Sequence, residues 1–289
     1  MTGTYLERLA ARSAASGTVL CVGLDPDPAA LPAGFPADVH GIERFARLIV
    51  DATADVAAAF KPNLAFFEAF GSSGLAALER VRARIPPQVP VVVDAKRADI
   101  GTTASRQAVA LFDALGADAV TLNPYLGGAA LEPFLERPDR FAYVLCRTSN
   151  PGAGEFQDLV VAGERGVAEP LHLHVARRTA SWGSGGMVGL VVGATGPGEL
   201  AAIRAIAPGL AFLVPGVGAQ GGDLEAALAA GPATAPPTGA RPGGGLLVNV
   251  SRGITAGVGT AAAGGESSDA GERIAASAAE WASRLPVLR

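Results

Sequence analysis

The chain has 289 residues, of which 49% are hydrophobic and 17% charged, with a formal net charge of −4 at pH 7. Apolar residues on that scale suffice for a sizeable core and exclude intrinsic disorder. The acidic balance, with no cluster of Lys and Arg, excludes the footprint of a nucleic-acid binder. Cys21 and Cys146 sit inside apolar runs, which predicts small buried hydrophobes in a reducing compartment and no disulfide framework. No window reaches the ~18 uninterrupted apolar residues of a membrane span. Met1 to Ser16 carries Glu7, Arg8 and Arg12 in place of a secretory apolar stretch. A cytoplasmic protein without a membrane partner is the expectation.

In chain order, the first apolar run, Thr18 to Leu24, ends in Asp25-Pro26-Asp27. Seven more follow, separated by segments rich in Ala, Leu, Glu and Arg: Ala59 to Pro62, Val91 to Ala95, Ala119 to Leu122, Phe141 to Arg147, Val188 to Gly193, Phe212 to Val214 and Leu246 to Val250. The alternation predicts parallel βαβ units. Eight units in one chain, without a break in composition, predict a closed α/β architecture, the (β/α)8 TIM barrel, as a single domain over 1–289. No G-x-G-x-x-G follows the first run and no Walker A sequence occurs, which removes the main support for a Rossmann-type sheet. Gly231 to Gly245, with four prolines and five glycines, and Gly257 to Gly271 read as flexible surface insertions, because they cannot bury enough apolar area to offset ordering. Ala279 to Leu285 predicts the final helix, with Trp281 packed inward.

The third run differs from the rest. Val91-Val92-Val93 reads as a strand covered on both faces, and ionisable residues then appear abruptly. Strand periodicity puts Asp94 and Lys96 on one face, with Asp99 beyond the strand near the next helix, so that two carboxylates flank one ammonium. Burying such charges costs several kcal/mol per ion unless they pair. A structural ion-pair network is the plain alternative. Against it stands the polarity of the other strand tips, which in a barrel form the active site: Asp25, Lys61 and Asn63, Asn123, Thr148-Ser149-Asn150, and Asn249 with Ser251. The turn Pro215-Gly216-Val217-Gly218-Ala219-Gln220-Gly221-Gly222 and the turn Ser251-Arg252-Gly253 lie where barrels commonly bind phosphate. Glycines let backbone N–H groups approach an anion, and Arg252 offers a two-pronged fork, so a phosphorylated small substrate is expected.

The segment Asp94-Ala95-Lys96-Arg97-Ala98-Asp99-Ile100-Gly101, taken with Phe60-Lys61-Pro62-Asn63 and the turn from Pro215 to Gly222, resembles the orotidine 5′-phosphate decarboxylase family. The likeness runs from the first strand to the eighth, and the long insertion before the eighth is similar to that of the longer bacterial variety. It implies loss of CO2 from orotidine 5′-phosphate to give uridine 5′-phosphate, in pyrimidine biosynthesis, with no metal and no organic cofactor. It also implies that Lys96 is the proton donor within a row formed by Lys61, Asp94, Lys96 and Asp99. Asp25 is then a contact near the ribose or base, Asn63 a further substrate-binding residue, and Ser149, or Thr148 beside it, meets the pyrimidine edge. Gly218, Gln220, Ser251 and Arg252 hold the phosphate end. Asp99 and Thr103 reach the neighbouring site across the twofold axis of a homodimer.

That chemistry has a physical need. Losing CO2 leaves an electron pair in the ring plane, where the π system cannot spread it, so the protein must supply positive charge and a proton; Lys96 can supply both. Rivals share part of the pattern. The related 3-keto-gulonate phosphate decarboxylases and hexulose phosphate synthases carry D-x-K-x-x-D but hold an enediolate on Mg2+, with an acidic ligand where this chain has Lys61. A silent nucleotide-binding barrel would not need Asp94, Lys96 and Asp99. His172 and His174 read as helix-surface or interface histidines, since positions i and i+2 diverge on a helix. Glu132, Glu136 and Asp139 read as a solvated face, and Trp182 and Trp281 as packing.

Overall fold

Eight parallel strands close on themselves around a single apolar interior in the computed structural model, which describes residues 3–163, 166–182, 186–218, 220–258 and 268–288. The strands are β1 (Leu20–Leu24), β2 (Ala59–Pro62), β3 (Val92–Arg97), β4 (Ala119–Leu122) and β5 (Phe141–Arg147). After a two-stranded hairpin of β6 (Val160–Ala162) and β7 (Ala168–Pro170) come β8 (Val188–Val192), β9 (Ala211–Val214) and β10 (Leu247–Val250). The sheet order is β2-β1-β10-β9-β8-β5-β4-β3. Its two ends meet through parallel bridges Phe60↔Val91 and Asn63↔Asp94 and a 3.0 Å bond from Phe60 N–H to the Pro90 carbonyl, which shuts the cylinder. The fold is the (β/α)8 barrel, in one domain, that the alternating pattern predicts. The hairpin was not legible in that pattern.

The helices are α1 (Tyr5–Ser16), α2 (Val39–Thr53), α3 (Leu64–Glu68), α4 (Gly71–Arg84), α5 (Gly101–Ala108), α6 (Glu132–Leu135), α7 (Gly154–Gln157), α8 (Leu171–Ala180), α9 (Pro197–Ile206), α10 (Leu224–Ala230), α11 (Arg252–Thr255) and α12 (Ser268–Arg284). None that is described is long and apolar enough to cross a membrane. The outer layer of the core packs strand against helix, as with Phe60, Val93 and Phe212 against Ile49, Val81 and Ile203. The inner layer fills the cylinder with Cys21, Val92, Phe141, Tyr143 and Leu213, and α1 adds Tyr5, Leu6 and Leu9. Cys146 is buried as well, so both thiols are free and enclosed.

A capping box between Thr4 and Glu7 starts α1, which plugs the N-terminal end of the barrel. The Tyr5 ring stacks on Phe141 at 4.8 Å, and its hydroxyl meets that of Tyr143 at 3.1 Å. Arg8 pairs with Asp118 at 2.8 Å, with Arg82 and Arg140 at 3.8 and 3.7 Å from the same carboxylate.

Three expectations are corrected. The stretch 231–245 is not a free surface loop: Thr234 and Ala235 donate to the Pro208 carbonyl at 2.8 and 3.0 Å, and Ala233 donates to Gly244. Gly243 and Gly244 adopt φ of +74° and +53° and are buried near Val19, where backbone rather than side chain does the packing. Counting side-chain area misses burial of that kind. This segment also packs against α1, at the end of the barrel away from the strand tips. Of the second stretch, 257–271, residues 259–267 lie outside those described, and α12 already begins at Ser268. The final helix is therefore much longer than Ala279 to Leu285; Trp281 donates to the Gly253 carbonyl at 3.2 Å. Lastly, His172 is not a surface residue: it is buried and bonds through Nδ1 to the Gln157 carbonyl at 2.9 Å, because α8 leans its first turn on the β5 tip. His174 pairs with Glu169 at 3.2 Å.

Candidate active site

The C-terminal strand ends surround a cavity of about 300 Å³ floored by Leu145, Val191 and Leu213. Of the residues predicted for the site, Asp25, Lys61, Asn63, Asp94, Lys96, Ser149, Gly218, Gln220, Ser251 and Arg252 all line it. They come from β2 and β3, from the turns that follow β1, β2, β5, β9 and β10, and from the first residue of α11, so the convergence is a product of closure and not of sequence proximity.

Asp94 is the hub. Lys61, in a strand whose four residues are all buried, reaches its Oδ2 at 3.0 Å, and Lys96, half exposed, reaches its Oδ1 at 2.7 Å. Burial opposes the Asp94 carboxylate, but the charges of Lys61 and Lys96 overcome it and hold its pKa well below the usual carboxylate range. Burial likewise opposes the Lys61 ammonium, and the negative charges of Asp94 and Asp25 outweigh it, raising its pKa above the ordinary lysine value. Both groups are ionised at neutral pH.

Thr121, in the middle of β4, is a member of the site that sequence reasoning passed over: its hydroxyl donates to Asp94 Oδ1 at 2.8 Å. A lone threonine in an apolar run reads as an ordinary strand former, so its role emerges only from the β3–β4 pairing.

Two acceptors are left waiting. Asp25 Oδ1 and Asn249 Oδ1 are buried with no hydrogen-bond partner among the described residues, and both residues line the cavity. Buried polar atoms in a folded protein are almost always paired, so orphans at a cavity wall mark where a ligand's donors, or water, belong. Gly23 permits the close fit beneath them, since a Cβ there would lie 1.8 Å from Ser251 Oγ.

The turn after β5 and the glycine-rich turn after β9 are linked. Ser149 Oγ donates to Gln220 Oε1 at 2.8 Å, whereas the Thr148 hydroxyl is engaged by Gln157 at 2.9 Å and Asn150 at 2.6 Å. Ser149 is thus the hydroxyl tied to the glycine-rich turn. Arg252, the first residue of α11, stands exposed at the rim. Ala219 lies outside the described residues.

Asp99 and Thr103 do not join this cavity. Asp99 accepts the Ile100 N–H at 2.8 Å, just ahead of α5, and Thr103 is exposed on that helix. Within one chain, among the described residues, the row therefore contains three charges, Lys61, Asp94 and Lys96. Ile100, just ahead of α5, is 70% exposed. The acidic residues Glu132, Glu136 and Asp139 are exposed, and no cluster of three or more His, Cys, Asp or Glu suited to a metal ion occurs among the described residues.

The family model for "Orotidine 5'-phosphate decarboxylase / HUMPS family" matches residues 18–265. The orotidine 5′-phosphate decarboxylase of Thermomicrobium roseum is 52% identical over 254 residues, covering 87% of this chain and 86% of its own. The structure of Leishmania donovani OMP decarboxylase superposes with a TM-score of 0.78 at 39% identity, covering 97% of this chain and 96% of that one. Leishmania donovani UMP synthase gives 0.80 at 42% identity over 98% of this chain, which corresponds to 56% of that longer protein.

Proposed function

The chain belongs to the orotidine 5′-phosphate decarboxylase / HUMPS family, and from that premise we propose that it is a carboxy-lyase converting orotidine 5′-phosphate to uridine 5′-phosphate in pyrimidine biosynthesis. The observation that carries the reading is the Lys96 ammonium, held 2.7 Å from an ionised Asp94 whose other oxygen is occupied by Lys61.

In this reading the phosphate lies against Gly218, Gln220 and Arg252, a ribose hydroxyl donates to the orphan Asp25 oxygen, and the pyrimidine edge meets Ser149. The carboxylate of the substrate then faces Asp94. The ring carbon to carboxylate bond breaks, CO2 departs, and the electron pair stays on the ring carbon beside Lys96. A proton from Lys96 Nζ forms the new C–H bond, and the amine recovers its proton from solvent. Lys61 keeps Asp94 charged and adds positive field for the developing carbanion. Large accelerations, up to ~23 kcal/mol of barrier, exceed what one lysine provides, so the distant phosphate grip contributes to the rate as well as to affinity.

Lys61 also argues against the Mg2+-dependent relatives. They need a carboxylate at the end of β2, and a buried ammonium there repels a divalent cation. We further infer a homodimer in which Asp99 and Thr103 complete the neighbouring site. What supports it is that neither lines its own chain's cavity, and that Ile100, between them in the chain, leaves an apolar side chain exposed. The two enclosed free thiols accord with a cytoplasmic location.

The test is a spectrophotometric assay with orotidine 5′-phosphate before and after EDTA treatment. Turnover that survives chelation is expected. Turnover abolished by chelation would move the assignment to the metal-dependent relatives, and no turnover in either condition would overturn it.

A further inference from the structure

The β3–β4 pairing breaks register at the site. Val93 pairs with Val120, and the next pair is Arg97 with Leu122. Three residues of β3, Asp94, Ala95 and Lys96, therefore stand opposite one residue of β4, Thr121. A bulge of that kind re-aims side chains and leaves ladder N–H groups without their strand partners. Lys96 sits at its apex with φ +47°, the one non-glycine residue with positive φ among those described. A residue of ordinary shape holds such a conformation only when its surroundings impose it.

The imposing group is a single hydroxyl. Thr121 Oγ1 accepts the Ala95 N–H at 3.1 Å and the Lys96 N–H at 2.9 Å, and donates to Asp94 Oδ1 at 2.8 Å. Thr121 is 1% exposed, so water does not substitute. A hydroxyl has one proton and two lone pairs. With both pairs taken by backbone donors, its proton has one destination, the carboxylate. One oxygen thus fixes the backbone of the lysine, the backbone of the residue between, and the side chain of the aspartate.

We propose that Thr121 is a positioning residue for the decarboxylation: it clamps the bulge of β3 so that the Lys96 ammonium and the Asp94 carboxylate are aimed into the cavity as a unit. The catalytic part of this rests on the assignment of Lys96 as proton donor; the clamp itself does not.

The experiment pairs Thr121→Val, which keeps the shape and removes the hydroxyl, with Thr121→Ser, which keeps the hydroxyl. Displacements of about 1 Å at a reacting group cost on the order of 100-fold in rate. Thr121→Val should lower kcat for orotidine 5′-phosphate on that scale with little change in KM, and Thr121→Ser should recover most of it. A Val variant with unchanged kcat, a loss confined to KM, or a Ser variant no better than Val would overturn the proposal. Amide hydrogen exchange gives a second reading that needs no substrate. The N–H groups of Ala95 and Lys96 should be protected in the parent protein and in the Ser variant, and should exchange freely in the Val variant. Fast exchange of both in the parent protein would refute the clamp even if the Val variant failed to fold. Protected amides in a protein inactive on orotidine 5′-phosphate would instead locate the failure in the functional assignment.

Discussion

The two ends of the barrel handle buried polarity in opposite ways. At the N-terminal end, the Tyr5 and Tyr143 hydroxyls satisfy each other, and Asp118 takes Arg8 on one oxygen and the Val91 N–H on the other. At the C-terminal end, Asp25 and Asn249 hold acceptors with no partner, Lys96 occupies a disfavoured backbone conformation, and Arg252 is open to solvent. Pairing Tyr5, Tyr143 and Asp118 at one end while leaving the Asp25 and Asn249 acceptors open at the other spends stability where a ligand would supply the missing half.

Substitutions sharpen that contrast, because those at the open end should cost rate and those at the closed end stability. Largest is Lys96→Ala: kcat for orotidine 5′-phosphate should fall by about 10⁴-fold, the upper end for removal of a general acid, while the unfolding midpoint changes little. Undiminished turnover would remove Lys96 as proton donor. Next is Arg252→Ala, which should lower kcat/KM for the nucleotide by about 10³-fold, the scale of two charged hydrogen bonds, and barely alter the slow reaction of the phosphate-free nucleoside. Equal losses on both substrates would contradict the phosphate role. At the other end, Asp118→Ala should destabilise by about 2–3 kcal/mol in urea unfolding, since it strands the Val91 N–H and unbalances Arg8, with kcat preserved. A drop in kcat at unchanged stability would dissolve the contrast.

The smallest effect concerns pH. Asp94 has its folded pKa depressed, so its contribution to stability is fully present above the ordinary carboxylate value and is lost progressively as pH falls from there through the lower folded value. The stability gap between the parent protein and Asp94→Asn should therefore stay constant from about pH 7 to about pH 4 and narrow below that. A gap that narrowed above about pH 5 would mean that the carboxylate is not held by its lysines.

Much of this was legible before any coordinates. Valine runs such as Val91 to Val93 announce covered strands, and polar residues at strand ends announce a barrel rim, because both depend on local pattern. Thr121 was illegible for the opposite reason: its meaning lies in a bulge that brings three residues of one strand against one of another. The packing of 231–245 was hidden because backbone groups, which composition does not count, carry it. Asp99 does not line the cavity of its own chain, and its expected place in a neighbouring site came from the family resemblance, not from any pattern in the strand itself.

The seam between β2 and β3 is joined by isolated bridges rather than a continuous ladder, and it is the seam that the Lys61–Asp94 pair spans. In the proposed reaction the same two side chains therefore serve the chemistry and latch the barrel. An ancestor that traded Lys61 for another charge would have had to re-zip its cylinder as it changed its chemistry, so new activities on this scaffold should arrive together with new ways of fastening that edge.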